Sequence, residues 1–224
     1  MATRKSTEAG SDDAASPPGR ARLVPTQQRS RERFERILAC AAEVMIENGC
    51  DAFRMSDIVE RTGIPFGSLY QYFPDKTAVI GTLAERHNTL GHACVRRDLA
   101  KMKRIEDLHG TLCRITDSYY QMFVDAPLMR DIWRATQADR ALQALDDADG
   151  AFLAGLLADA LQDLAPETPG AQLATFSELT MVLIAAAVRH AIGLPPKAAR
   201  RMLAMFKRTL PGDLSVLDLN KNMN

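Results

Sequence analysis

The sequence is poor in almost everything that announces a chemistry. Its four cysteines, Cys40, Cys50, Cys94 and Cys113, form no CxxC pair. Each falls within or beside a helical pattern, so reduced thiols are expected, with neither a disulfide framework nor a metal site. His87 and His92 stand five residues apart, a spacing that does not place two imidazoles on one helix face. There is no GxSxG, no HExxH and no phosphate-binding glycine loop. An enzyme is therefore not expected, nor is a cofactor. Long apolar runs are missing too. The longest, Met181 to Val188, is closed by Arg189 and His190, well short of the roughly 18 residues of a membrane helix. No apolar stretch follows Arg4 and Lys5 as a secretory signal requires. A cytoplasmic protein with no membrane partner is the expectation. Net charge is absent as well: Lys plus Arg and Asp plus Glu are 28 each among 224 residues. Residues 1–36 hold eight bases against five acids, a weakly basic arm.

What is present is helix pattern. Residues 1–24, rich in Ser, Ala, Gly, Pro and charge, have little to bury and are expected to be a disordered arm. From Gln27, Phe34, Leu38, Ala41 and Met45 recur at helical steps, and Asn48-Gly49 supplies the stop, with glycine left-handed. Two short helices follow, about Met55–Arg61, broken by Gly63, and about Phe66–Phe73, with Pro65 suited to its first turn. Pro74-Asp75 ends the second and caps a long helix from Lys76 to about Met102. Further helices are predicted over about 105–125, from Pro127, over 139–164, 171–193 and 197–209. There is no repeat and no strand-like alternation. The expectation is all-α, about nine helices, with a flexible tail over 211–224.

Two short helices joined at a glycine and packed on a longer one form a helix-turn-helix pattern, in which the second helix enters the major groove of DNA. At 100° per residue, Phe66, Leu69 and Phe73 share one face of that helix, with Tyr70 at its edge. Gly67, Ser68, Gln71 and Tyr72 share the other. Leu69 and Phe73 are expected in the core. Gly67 would allow close backbone approach, Ser68 and Gln71 would offer hydrogen bonds to base edges, and Tyr70 and Tyr72 would give hydroxyls to phosphates. Lys76, in the first turn of the next helix, opposes the helix dipole and asks for an anion.

The stretch RFERILACAAEVMIENG…FRMSDIVERTGIPFGSLYQYFPDKTAVI resembles the N-terminal domain of the TetR family of transcriptional regulators, over about residues 30–80. The Gly63 turn, Gly67-Ser68-Leu69-Tyr70, Tyr72-Phe73 and Lys76 stand in the family's order and spacing. The resemblance implies a helix-turn-helix domain over about 25–75 and a helical ligand-binding and dimerisation domain over about 76–210. It also implies a homodimer on a palindromic operator in double-stranded DNA, usually acting as a repressor. Carried over by position, the DNA contacts would be Arg54, Ser56, Phe66, Gly67 and Ser68, then Tyr70, Gln71, Tyr72 and Lys76. Arg54 and Pro65 stand where the family often has capping Thr and Ser, and Phe66 where a polar base-reader is common. Phe66 is left open, to touch a thymine methyl or to pack inward.

The resemblance further implies a small-molecule effector among the C-terminal helices, and the inward faces suggest an apolar or aromatic one. Candidate contacts are the polar or aromatic residues of those helices: His109, Tyr119, Tyr120, Phe123, Trp133, Phe152, Phe176 and Glu178. Trp133, the sole tryptophan, needs a partner for its N–H if buried. The 171–193 segment is apolar around its circumference and must be covered on several sides. With the helix after Pro196 it would form half of a four-helix dimer bundle over about 171–210; the alternative is that both merely complete the monomer core. A helical scaffold without specific DNA binding is the competing function.

Overall fold

The computed structural model describes residues 19–22 and 27–217, and nine α-helices and two 3-10 turns lie among them, with no strand. The helices are α1 (Gln28–Asn48), α2 (Met55–Thr62), α3 (Phe66–Tyr72), α4 (Lys76–Leu99), α5 (Leu108–Asp125), α6 (Leu128–Ala138), α7 (Arg140–Leu164), α8 (Gly170–Ala191) and α9 (Pro196–Lys207). Boundaries follow local chemistry. Asp75 accepts from the Ala78 N–H at 2.8 Å to start α4, and Asp139 accepts from Ala141 and Leu142 to start α7. Arg54 brings no acceptor to the start of α2. Instead Asp57 reaches back and accepts from the Arg54 N–H at 2.8 Å.

Gly63 ends α2 at φ 66° and ψ 11°, the left-handed conformation that glycine adopts without cost. Gly49 ends α1 at φ 81° and ψ 157°. That positive φ also favours glycine, but it lies outside the left-handed helical region expected there.

The α1 stripe of Phe34, Leu38, Ala41 and Met45 is buried against Ile58, Leu69, Phe73 and Val79. The same apolar cluster takes in Leu128 and Ile132 of α6 and Leu142 of α7. The helix-turn-helix is thus built onto the larger helical body through α6 and α7 as well as through α4. A second cluster joins the end of α4 to α5, α7 and α8. A third gathers Phe123, Met129, Val188 and Leu203 from α5, α6, α8 and α9. Helix α8 is long and apolar enough to cross a membrane, yet Leu173, Phe176, Met181, Ile184 and Val188 are buried within the protein.

The expected arm, 1–24, lies outside the described residues except for Gly19–Arg22, and of the expected tail only 211–217 is described. Both described pieces pack. Gly19 sits against Gly81 of α4 and Leu145 of α7. Arg20 pairs with Glu85 at 2.9 Å, and the Arg22 N–H donates to the Tyr72 carbonyl at 2.8 Å. Leu214 and Leu217 pack on the second cluster. In these two short pieces small and apolar residues, Gly19, Ala21, Leu214 and Leu217, make the contacts with the body.

Candidate functional site

Helix α3 has a packed back and an open front. Leu69 and the following Phe73 are wholly buried, whereas Phe66 is 47% and Tyr70 42% exposed. The two exposed rings stack on each other, centroids 6.0 Å apart and planes 17° from parallel. Between them Gly67 is bare, with open space where a Cβ would stand, and Gln71 is exposed beside them. Phe66 therefore faces outward, although the helical wheel groups it with Leu69: as the first residue of a two-turn helix it stacks on exposed Tyr70 and stays out of the core. Ser68 and Ser56 are half-buried and Arg54 is exposed.

Two residues expected on the front are placed differently. Tyr72 is buried, its ring edge-on to Phe34 at 5.9 Å and its hydroxyl 2.7 Å from Ser30 Oγ. As the last residue of α3 it lies over α1, which the wheel of one helix does not contain. The Lys76 ammonium donates to the Asp51 carbonyl at 3.0 Å and lies 6.0 Å from the Phe53 ring centroid. A backbone carbonyl supplies the negative partner that the helix start does not.

A cavity of about 530 Å³ opens between α4, α5, α6, α7 and α8, within the range that takes drug-sized molecules. Of the expected contacts, Tyr119, Phe123, Trp133 and Glu178 line it. The other four lie elsewhere. His109 bonds the Lys207 carbonyl at 2.9 Å, and Tyr120 packs in the third cluster. Phe176 is in the second cluster, and Phe152 lies outside, against His92 and Arg96. A sequence shows which residues are aromatic, but not which side of a helix the empty space adjoins.

The cavity also holds charges that were not expected. Arg189 lies 5.6 Å above the Trp133 ring, bonds Asp146 at 2.5 Å and reaches the Tyr119 hydroxyl at 3.4 Å. Asp149 meets His92 Nε2 at 2.5 Å. Burial pushes the Asp149 carboxyl up, with the His92 contact acting against it. Burial likewise raises the Tyr119 phenol and lowers His87 towards the neutral form. There was a signal for the carboxylates. Asp146 and Asp149 continue the stripe of Leu142 at steps of four and three, so they occupy inward positions of α7.

Outside the cavity, α8 and α9 present an uncovered apolar face. Leu179 and Met205 are 58% and 62% exposed and Leu183 is 48% exposed, whereas Val182, also exposed, lines the cavity.

Residues 106–217, half of the chain, match the profile described as "Tetracyclin repressor-like, C-terminal domain", and residues 37–82 match "Bacterial regulatory proteins, tetR family". The chain belongs to the TetR family of transcriptional regulators. As a TetR-family member it is a DNA-binding regulator of transcription with a helix-turn-helix, a role that points to regulation rather than catalysis. A Bacillus subtilis relative, the uncharacterized HTH-type transcriptional regulator YvdT, is 43% identical over 60 residues, 27% of this chain. The match spans only 30% of that relative's length. Among solved structures, a TetR-family regulator from Pectobacterium atrosepticum superposes with a TM-score of 0.61 at 18% identity, over 85% of this chain and 98% of that one. A transcriptional regulator from Aquifex aeolicus gives 0.56 at 15% identity, over 79% and 98%. At such identities the likeness to TetR-family structures is one of fold.

Proposed function

We propose that the protein is a repressor that binds a palindromic operator as a homodimer and is released by a small apolar or aromatic molecule. The observation that carries the DNA half is the front of α3: an exposed Phe66–Tyr70 stack flanking bare Gly67, beside exposed Gln71, on a helix pinned by Leu69 and Phe73. Gly67 lets the backbone approach the groove. Gln71 and Ser68 read base edges, and Phe66 meets a thymine methyl. Tyr70, Arg54 and Ser56 hold phosphates. Tyr72 acts from behind, fixing α3 on α1, and Lys76 serves phosphate only by exchanging its bond to Asp51.

The uncovered faces of α8 and α9 support a dimer through about 171–210, which would place two α3 helices about 34–36 Å apart, one turn of DNA. Release requires an effector that binds one arrangement of the heads better than the other. Helix α6 is placed to transmit this, since Ile132 belongs to the core of the helix-turn-helix and also lines the cavity. Helix α4 offers the second route. A protein acting at an operator works in the cytoplasm.

The test is selection of random duplexes by the purified protein, followed by mobility assays across salt. An enriched palindrome, bound with steep salt dependence, is expected. No enriched sequence would favour the helical scaffold instead.

A further inference from the structure

The lining of the cavity is unbalanced in charge. Asp146, Asp147, Asp149 and Glu178 stand against a single guanidinium, Arg189. Arg189 is already engaged by Asp146 and by the Tyr119 hydroxyl. Asp149 is hydrogen-bonded only to an imidazole, that of His92, with the Arg189 charge acting on it from farther off. The remaining elements bring no compensating cation to the lining. Helix α4 contributes His87, which burial drives towards neutrality, and α5 contributes a Tyr119 phenol that burial keeps protonated. The lining residues of α6 carry no charge, and Arg96 of α4 lies outside, on the Phe152 ring.

The two signs of ligand meet different costs here. An anion would have to draw Arg189 from Asp146 and leave that carboxylate partly buried and unpaired, which is expensive. A cation needs only to approach Asp149, whose charge it would stabilise. The rest of the wall is apolar and aromatic. Trp133 Nε1 is buried with no acceptor among the described residues, an unmet donor next to this space.

We infer that the effector is an organic cation whose positive centre faces Asp149 and whose apolar or aromatic body packs against Trp133 and Phe123. This rests on the ligand-responsive reading proposed above and narrows it. An ether or carbonyl oxygen on the same molecule would satisfy the Trp133 N–H.

Trp133 is the sole tryptophan, so its fluorescence reports this cavity directly. The full chain is titrated with tetraphenylphosphonium and tetraphenylborate, ions of like shape and opposite charge, and with neutral 1-naphthol. The phosphonium is expected to bind more tightly than the borate. Asp149→Asn should weaken it about tenfold or more, and Glu178→Gln, at an exposed position, by a smaller factor, with thermal unfolding showing that both variants fold. Preference for the borate, phosphonium binding unchanged in both variants, or binding of naphthol alone overturns the cation inference and leaves the effector cavity standing. Silence to all three compounds removes the effector reading itself.

Discussion

The Tyr72 hydroxyl lies 2.7 Å from Ser30 Oγ, so the end of α3 is tied to the first turn of α1. The ring between them packs on Phe34, and its carbonyl accepts from the Arg22 N–H. Three segments therefore meet at one residue. Tyr72→Phe keeps the ring and removes the bond to Ser30. Denaturant unfolding should show a loss of about 0.5–1.5 kcal/mol, matched by Ser30→Ala and not increased further in the double variant. A full loss of operator affinity with unchanged stability would instead mean that the hydroxyl serves DNA.

Tyr70 makes the opposite prediction. It is exposed, and its neighbour is another exposed ring. Tyr70→Ala should leave stability within about 0.5 kcal/mol while lowering affinity for all operators alike in a mobility assay, as loss of a phosphate contact does. Gln71→Ala should act unevenly, costing about 1–3 kcal/mol at a single base position. Equal losses at every position would count against base reading by Gln71.

Much of this arrangement was legible in the sequence. Spacing alone located α1 to α4, the glycine turn and the inward Leu69, because amphipathic periodicity and turn chemistry are local properties. Tyr72, Lys76 and Phe66 were not legible for one shared reason. What each meets, α1 for Tyr72, Asp51 for Lys76 and open solvent for Phe66, depends on where a different segment passes. The cavity posed the same difficulty more severely. Asp146 and Asp149 fall on the Leu142 stripe, but a stripe does not say whether an inward carboxylate meets packed core or empty space, and aromatic Phe176 and Tyr120 pack away from the cavity.

The exposed pair Leu179 and Leu183 sets a prediction for assembly. Leu179→Glu with Leu183→Glu puts two carboxylates on an exposed apolar face of α8, apart from the residues that line the cavity. Folding should survive, judged by helical content and a cooperative melt. Sedimentation should report a monomer where the unaltered chain sediments as a dimer, and operator binding should fall steeply. A dimer that persists in the variant would move the interface elsewhere.

Trp133 offers a check on coupling. Ile132, its neighbour, sits both in the core of the helix-turn-helix and on the cavity wall. Ile132→Val removes one methylene at an estimated cost of about 0.5–1.5 kcal/mol. If α6 carries the signal, the variant should change the effector concentration that releases operator by more than it changes either binding step measured alone. Equal shifts in all three would leave α6 as mere support.

Gly81 sits inside the 24-residue helix α4, where alanine would be favoured by about 1 kcal/mol. A Cβ at that position would overlap the Gly19 carbonyl oxygen. The helix therefore gives up some of its own propensity to leave a seat for chain that precedes α1. The two segments compete for one methyl-sized volume: whatever strengthens α4 at this point unseats the N-terminal segment, and with it the bond to Tyr72 behind the reading helix.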